Sequence, residues 1–157
     1  MSISNTFFRF ALAFSFFSFS LALLAEPTLE EVVVSARKVD ESVQDVPIAM
    51  SVFTSSDISD AGIERPEDFI ALTPNVVMAN TVNVGDTLVT IRGLTSTRDA
   101  ESNFAFVVDG VLQTNPNAFN RELLDIAQIE VLKGPQGALY GRNATSGAIL
   151  ITTKAPS

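Results

Sequence analysis

The sequence predicts an α+β domain: a small mixed β-sheet with short flanking helices and long loops. Two patterns lead to this prediction. Short runs of five to seven residues alternate apolar and polar side chains or are apolar throughout, and helical segments of one or two turns with capping residues lie between them. The length of 157 residues fits a single domain.

The first half of the domain contains two predicted helices between strands. Residues 48–53 alternate in a period of two, which predicts a strand. The segment Thr54–Asp57 has the spacing of a capping box, and Gly62 can end that helix in the left-handed conformation. Pro66 is suited to the first turn of a second helix. The next predicted strand is Thr87–Arg92.

The second half contains a predicted β-hairpin. Two apolar runs flank Asp109-Gly110, the pair that tolerates the positive φ angles of a type I′ turn. Asp109 is therefore predicted to be a turn residue rather than a catalytic acid. The remaining predicted elements are a short helical piece at Arg121–Asp125, a strand at Ile129–Lys133, a helical turn between Gly134 and Gly141, and a last strand at Ala148–Thr153.

The N-terminal region is predicted to be a signal peptide over residues 1–25. The apolar run Phe10–Ala25 follows Arg9 and has 16 residues, fewer than the roughly 20 that span a bilayer. Small residues at Ala22 and Ala25 resemble a signal-peptidase site. A short membrane anchor or a buried helix is the alternative, but charged residues follow at once. We therefore expect an exported protein.

Residues 26–46 form a valine-rich segment that becomes charged and polar. The run Val32–Val34 favours extended backbone. One interpretation is a first strand of the fold. The other is a detachable strand that a partner's sheet could adopt, followed by a flexible tether, with the domain itself spanning residues 47–157.

The composition excludes most catalytic chemistry. The chain has no Cys and no His, so a His-based triad, a Cys nucleophile and a Cys/His zinc site cannot be built. A net charge of −8 argues against nucleic-acid binding. The glycines after residue 133 lack the spacing of a phosphate-binding loop. A carboxylate enzyme is a distant alternative, because no Asp or Glu lies in an apolar setting except Asp109. We expect no enzyme activity, no cofactor and no metal site.

Four motifs resemble the plug domain of TonB-dependent outer-membrane receptors and lie in the order found there. The longest is Ile129–Lys154. Glu30–Ala36 resembles a TonB box, Thr90–Gly93 resembles the end of the plug's "IRG" strand, and Phe106–Val111 resembles its "VVDGV" hairpin. Together the four motifs extend over nearly all of the chain after the predicted signal peptide.

The resemblance implies a mechanism and a set of partners. In the family the plug blocks a 22-stranded β-barrel, and TonB pulls on the box with energy from ExbB–ExbD. The implied TonB-binding residues are Glu30, Glu31, Val32, Val33, Val34, Ser35 and Ala36. The implied contacts with glutamates of the barrel wall are Arg92, Lys133 and Arg142. The expected ligand-facing residues, on the two long loops, are Asn80, Asn83, Arg98 and Asn103.

The sequence contains no barrel, because the roughly 220 strand residues that such a barrel needs do not fit. We expect the plug of a receptor that gates energy-coupled uptake of a scarce nutrient such as an iron–siderophore, with a metal chelate as a candidate ligand. The intact receptor would lie in the cell outer membrane. The alternative is a free-standing periplasmic binding or interaction module of the same fold, without transport activity.

Overall fold

The computed structural model of the chain describes residues 31–80, 87–96, 101–115 and 118–155. The predicted signal peptide lies outside these residues. So do Glu30, Asn83 and Arg98, and their predicted roles stay predictions. None of the helices in the described ranges is long and apolar enough to cross a membrane.

The described chain contains ten strands and three short helices. In chain order they are β1 (Val33–Val34), β2 (Glu41–Ser42), β3 (Met50–Thr54), α1 (Ser55–Ala61), α2 (Pro66–Ala71), β4 (Val76–Asn80), β5 (Thr87–Ile91), β6 (Leu94–Thr95), β7 (Phe104–Val108), β8 (Val111–Gln113), β9 (Ile126–Lys133), α3 (Gly137–Tyr140) and β10 (Gly147–Thr153).

A mixed five-stranded sheet forms the centre of the domain, with strand order β3-β9-β10-β7-β8. The strand β10 runs antiparallel to β9 and parallel to β7, while β3 and β8 form the two edges. A three-stranded antiparallel sheet, β4-β5-β6, and the two-stranded pair β1-β2 complete the fold. The predicted α+β class with a small mixed sheet is confirmed.

Each face of the central sheet carries a hydrophobic cluster, which explains why β7 and residues 147–151 of β10 are apolar throughout. In β10, Ile149 and Ile151 belong to one hydrophobic cluster, whereas Ala148 and Leu150 belong to another on the opposite face. The first cluster contains large side chains from α2, β4 and β5. The second contains several small residues, so a further chain segment can approach that face closely.

Local sequence signals predicted the turns and caps correctly. Thr54 forms a capping box with Asp57, and Gly62 ends α1 at φ 64°. Because the Thr54 hydroxyl and amide donate to the Asp57 carboxylate, the pKa of that carboxyl is lowered. Asp109 and Gly110 have φ angles of 47° and 79°, as a type I′ hairpin requires. The Asp109 carboxylate also accepts hydrogen bonds from Thr153.

Two predictions of local structure are wrong. Residues 121–125 form no helix, since the Leu123 amide donates to the Glu64 carbonyl and Arg65 pairs with Glu122 at 2.8 Å, so distant contacts replace a helical turn. The strand β4 lies where no strand was predicted. Its apolar run Val76–Met78 lacks alternation, and its pairing with β5 supplies the extended conformation.

Candidate functional site

The described part of the valine-rich segment, residues 31–46, packs against the domain, and we call it the clasp. Strand β1 pairs antiparallel with β2, with Val33 opposite Ser42 and Val34 opposite Glu41. The connection turns through Lys38, whose φ is 60°. The segment therefore folds back on itself before the chain enters β3.

The clasp packs on the small-residue face of the central sheet. Val34 is 1% exposed and Ala36 is fully buried, in one cluster with Leu132, Tyr140 and Ala148. Val34 and Ala36 therefore lie buried against the domain, whereas Val33 between Val32 and Val34 is 50% exposed. Residues 31–157 form one compact unit, so residues 31–46 differ from the predicted flexible tether. No local pattern predicts this contact, because it joins residues about 100 positions apart.

Three side chains of the domain hold the backbone of the clasp. The Gln128 amide donates to the Val33 carbonyl at 3.0 Å. The Ser35 amide donates to Oε1 of Glu130 at 3.1 Å. The Tyr140 hydroxyl donates to the Ala36 carbonyl at 2.8 Å. We call Gln128, Glu130 and Tyr140 the latch.

Glu130 is a buried carboxyl that sequence reasoning missed. It is 2% exposed, and its Oε2 is buried without a hydrogen-bond partner among the described residues. Burial raises the pKa of Glu130 above its ordinary value, more strongly than the hydrogen bonds from Ser35 and Gln128 lower it. The available signal was a lone acid within the apolar run Ile129–Leu132, since a strand buried on both faces leaves a charged side chain no solvated side.

Tyr140 keeps its proton over the whole physiological range. Burial, followed by the nearby charge of Glu130, raises the pKa of Tyr140 to about 12. The ammonium of Lys38 lies 5.7 Å from the centre of the Tyr140 ring. Tyr140 is therefore a permanent hydrogen-bond donor to the clasp.

A groove of about 520 Å³ lies beside the clasp. Its polar side includes Ser35, Lys38 and Asp40, and its apolar walls include Val107 and Leu150. Within the described ranges, no group of three or more acidic side chains is placed to hold a metal ion.

Arg92 and Lys133 form a pair of neighbouring cations. The Arg92 guanidinium passes so close to Gly134 that a Cβ there would lie 2.9 Å from its Nη1. Lys133 Nζ donates to the Ser51 hydroxyl at 3.0 Å. Burial, and then the charge of Arg92, lowers the pKa of Lys133. Neither cation makes an ion pair with any residue that the structure describes.

The third predicted barrel contact has a different environment. Arg142 pairs with Glu101 at 2.8 Å, and its side chain is 84% exposed. Its charge already has a partner within the domain, in contrast to those of Arg92 and Lys133.

The two described loop candidates have structural surroundings that the sequence did not predict. Asn80 ends β4, opposite Thr87, rather than lying in a loop. The Asn103 side chain accepts from Ser96 and Ser146 and donates to the Leu94 carbonyl. Asn103 therefore links three chain segments, and its role toward a ligand stays a prediction.

Comparison with known proteins identifies the family. A family model described as the TonB-dependent receptor plug domain matches residues 42–148. The pesticin receptor of Yersinia enterocolitica is 31% identical over 132 residues, covering 83% of this chain and 19% of that receptor. The vitamin B12 transporter BtuB of Vibrio vulnificus is 31% identical over 137 residues, covering 83% of this chain and 22% of BtuB.

A solved structure shows the same similarity. The ferric yersiniabactin uptake receptor FyuA from Yersinia pestis matches with a TM-score of 0.64 and 31% identity, covering 70% of this chain and 17% of that one. The chain belongs to the TonB-dependent receptor plug domain family. It spans about a fifth of the length of the curated relatives that it matches. Those relatives are receptors and transporters rather than enzymes.

Proposed function

We propose that the chain is the plug of an outer-membrane receptor for a scarce nutrient, with an iron–siderophore complex as the nutrient. The match of residues 42–148 to the plug family carries this proposal, since that region contains strands β3 to β9 and the start of β10. The name of FyuA, a ferric yersiniabactin uptake receptor, supports the choice of nutrient. In the intact receptor the domain would close the passage through the barrel.

The proposed partner is TonB, energised by ExbB–ExbD, and its proposed binding segment is Glu30–Ala36. Val33 is 50% exposed and lies in a strand of only two residues outside the central sheet. A strand of this kind can leave without breaking the main sheet. It could then add to the edge of a partner sheet through backbone hydrogen bonds, which demand little of side-chain identity.

Val33→Pro is expected to abolish this interaction while leaving the domain folded. Proline removes a backbone donor and restricts φ, so affinity for the purified C-terminal domain of TonB should fall by at least about tenfold. Val33→Ala keeps the donor and should stay within about fivefold of the wild type. Calorimetric titration of each full chain measures the affinities, and circular dichroism checks the fold.

Normal TonB binding by the proline variant would contradict the proposed segment. Equal weakening by proline and alanine would instead indicate that the valine side chain matters more than the backbone. That result would argue against strand addition.

We propose further that Arg92 and Lys133 meet carboxylates of the barrel wall. Two neighbouring cations with no anion beside them in the described structure repel each other, so a carboxylate placed next to them would stabilise both charges. Lys133 offers a point charge rather than the two-pronged hydrogen bonding of an arginine, so its contact would be less directional. Arg142, already paired with Glu101, is the weakest of the three candidates.

The uncompensated charge predicts a salt effect in the chain itself. The Arg92→Gln variant should have a higher free energy of unfolding than the Arg142→Gln variant, by less than about 1 kcal/mol at low salt. The difference should shrink towards about 1 M salt, where screening is strong. Arg142→Gln is the matched control because it alters net charge equally but breaks an existing pair. Urea unfolding at several salt concentrations tests this, and a larger loss for Arg92→Gln would refute it.

A further inference from the structure

Both edges of the clasp strand are occupied in the docked state. On one edge the Val32 carbonyl accepts from the Val43 amide at 3.0 Å, and β2 pairs with Val34. Successive residues of a strand direct their backbone groups to opposite edges. The Val33 carbonyl and the Ser35 amide therefore face the other edge, where Gln128 and Glu130 bind them.

A partner strand needs one of these edges for itself. Adding to a sheet requires free N–H and C=O groups in a row, and in this structure those groups are already bonded to the domain. A partner that pairs with the edge facing Gln128 and Glu130 therefore competes with the latch for the same atoms.

We propose that Glu130 is a positioning residue: its neutral carboxyl keeps Ser35 and the clasp strand docked, and loss of its proton favours release of the strand to the partner. This inference rests on the proposed function of the segment Glu30–Ala36. The protonation state of Glu130 would then determine how readily that segment can bind the partner.

The geometry of the Glu130 carboxyl explains why loss of its proton favours release of the strand. Its Oε1 accepts from the Ser35 amide at 3.1 Å, from the Ser35 hydroxyl at 3.4 Å and from Gln128 at 3.2 Å. Its Oε2 has no partner among the described residues. An ionised carboxylate with one unsolvated oxygen is costly, whereas the neutral acid costs less. If the clasp left, the Glu130 carboxyl would no longer be covered and would be hydrated by water.

The groups around Glu130 do not neutralise its charge. Asp40, on the clasp, adds a repulsive charge that raises the pKa of Glu130 further. Val52 and Leu150 are its neighbours in the register of the adjacent strands β3 and β10, and both are apolar. From α3, Tyr140 is protonated.

The cations of the clasp have other partners. Lys38 lies over the Tyr140 ring, and Arg37 pairs with Glu41 at 3.3 Å. In the docked structure burial raises the pKa of Glu130 and outweighs the opposing effect of the hydrogen bonds from Ser35. The contribution of Glu130 to docking is therefore complete below the ordinary value of 4.5 and is lost as pH rises through the raised value.

The absence of cysteine makes the docked state measurable. Val34→Cys places a single thiol at a buried position, and Val33→Cys, one residue away and 50% exposed, is the reference. The ratio of their labelling rates with a maleimide reports undocking, because the pH dependence of the thiol itself largely cancels. The full chain is used throughout, without TonB.

We expect the labelling ratio of Val34→Cys to Val33→Cys to rise between about pH 5 and pH 8, up to about tenfold for each pH unit by which docking raises the carboxyl pKa. Adding Glu130→Gln, which keeps an acceptor for Ser35 but cannot ionise, should hold the ratio low and flat. A flat ratio in the wild-type background, or an unchanged rise with Glu130→Gln, would overturn the proposal.

Two further measurements keep the test decisive. If Val34→Cys unfolds the chain, exchange of the Ser35 amide relative to the Thr73 amide in the cysteine-free chain, with and without Glu130→Gln, replaces the labelling ratio. The failure of the proposed function is separate: normal TonB binding by Val33→Pro would remove the partner role but leave the pH-dependent docking intact.

Discussion

Gly147→Ala is expected to destabilise the domain by about 3 kcal/mol or more. A Cβ at this position would overlap the carbonyl oxygen of Leu132 in the neighbouring strand β9 and lie 3.2 Å from Cδ1 of Ile91. The first obstacle is backbone inside the central sheet, where no rotamer change can relieve the clash. The strands β9 and β10 would have to separate, and their pairing holds the centre of the sheet together.

Gly137→Ala is the matched control for Gly147→Ala. A Cβ on Gly137 would meet nothing within 4 Å, and the residue lies in the helix α3. Alanine there should leave stability unchanged or raise it by up to about 1 kcal/mol. Chemical denaturation of both variants measures the difference. Equal stabilities would show that the sheet accommodates the methyl group, contrary to the packing described.

Phe119→Ala is expected to cost about 3–5 kcal/mol. The Phe119 ring lies 5.1 Å from that of Phe106, 5.2 Å from that of Phe104 and 6.3 Å from that of Phe69, each in an edge-to-face arrangement. It is 4% exposed although it belongs to no strand or helix. One side chain therefore joins β7 to α2, and its loss would leave a cavity between them.

Phe119→Leu separates the two contributions of this ring. Leucine refills much of the volume but cannot make edge-to-face contacts, so we expect it to recover more than half of the loss. Thermal and urea unfolding provide the comparison. A cost below about 1 kcal/mol for Phe119→Ala would contradict a central role for this residue.

The sequence predicted those parts of the fold that short-range chemistry determines. The Asp109-Gly110 turn, the Thr54 capping box and the Gly62 helix end each depend on neighbouring residues only, and each was found as predicted. The strand β4 and the chain at 121–125 were mispredicted because pairing with distant residues determines their conformation.

The candidate site divides in the same way. Motifs pointed to the valine segment and to the cations Arg92 and Lys133, because each lies in a continuous, recognisable stretch, and the partners of these residues stay predictions. The latch brings β9 and α3 against a segment about 100 residues earlier in the chain, and no local pattern encodes that contact. Burial of Glu130 likewise follows from the clasp that covers it.

The central claim is that the clasp strand transfers from its own domain to TonB. Hydrogen exchange of the full chain with and without the TonB C-terminal domain tests it most directly. The claim predicts that the Ser35 region stays protected while the Val43 amide, which bonds the Val32 carbonyl in the free chain, loses protection. Binding that leaves Val43 protected and shields a different surface would contradict it.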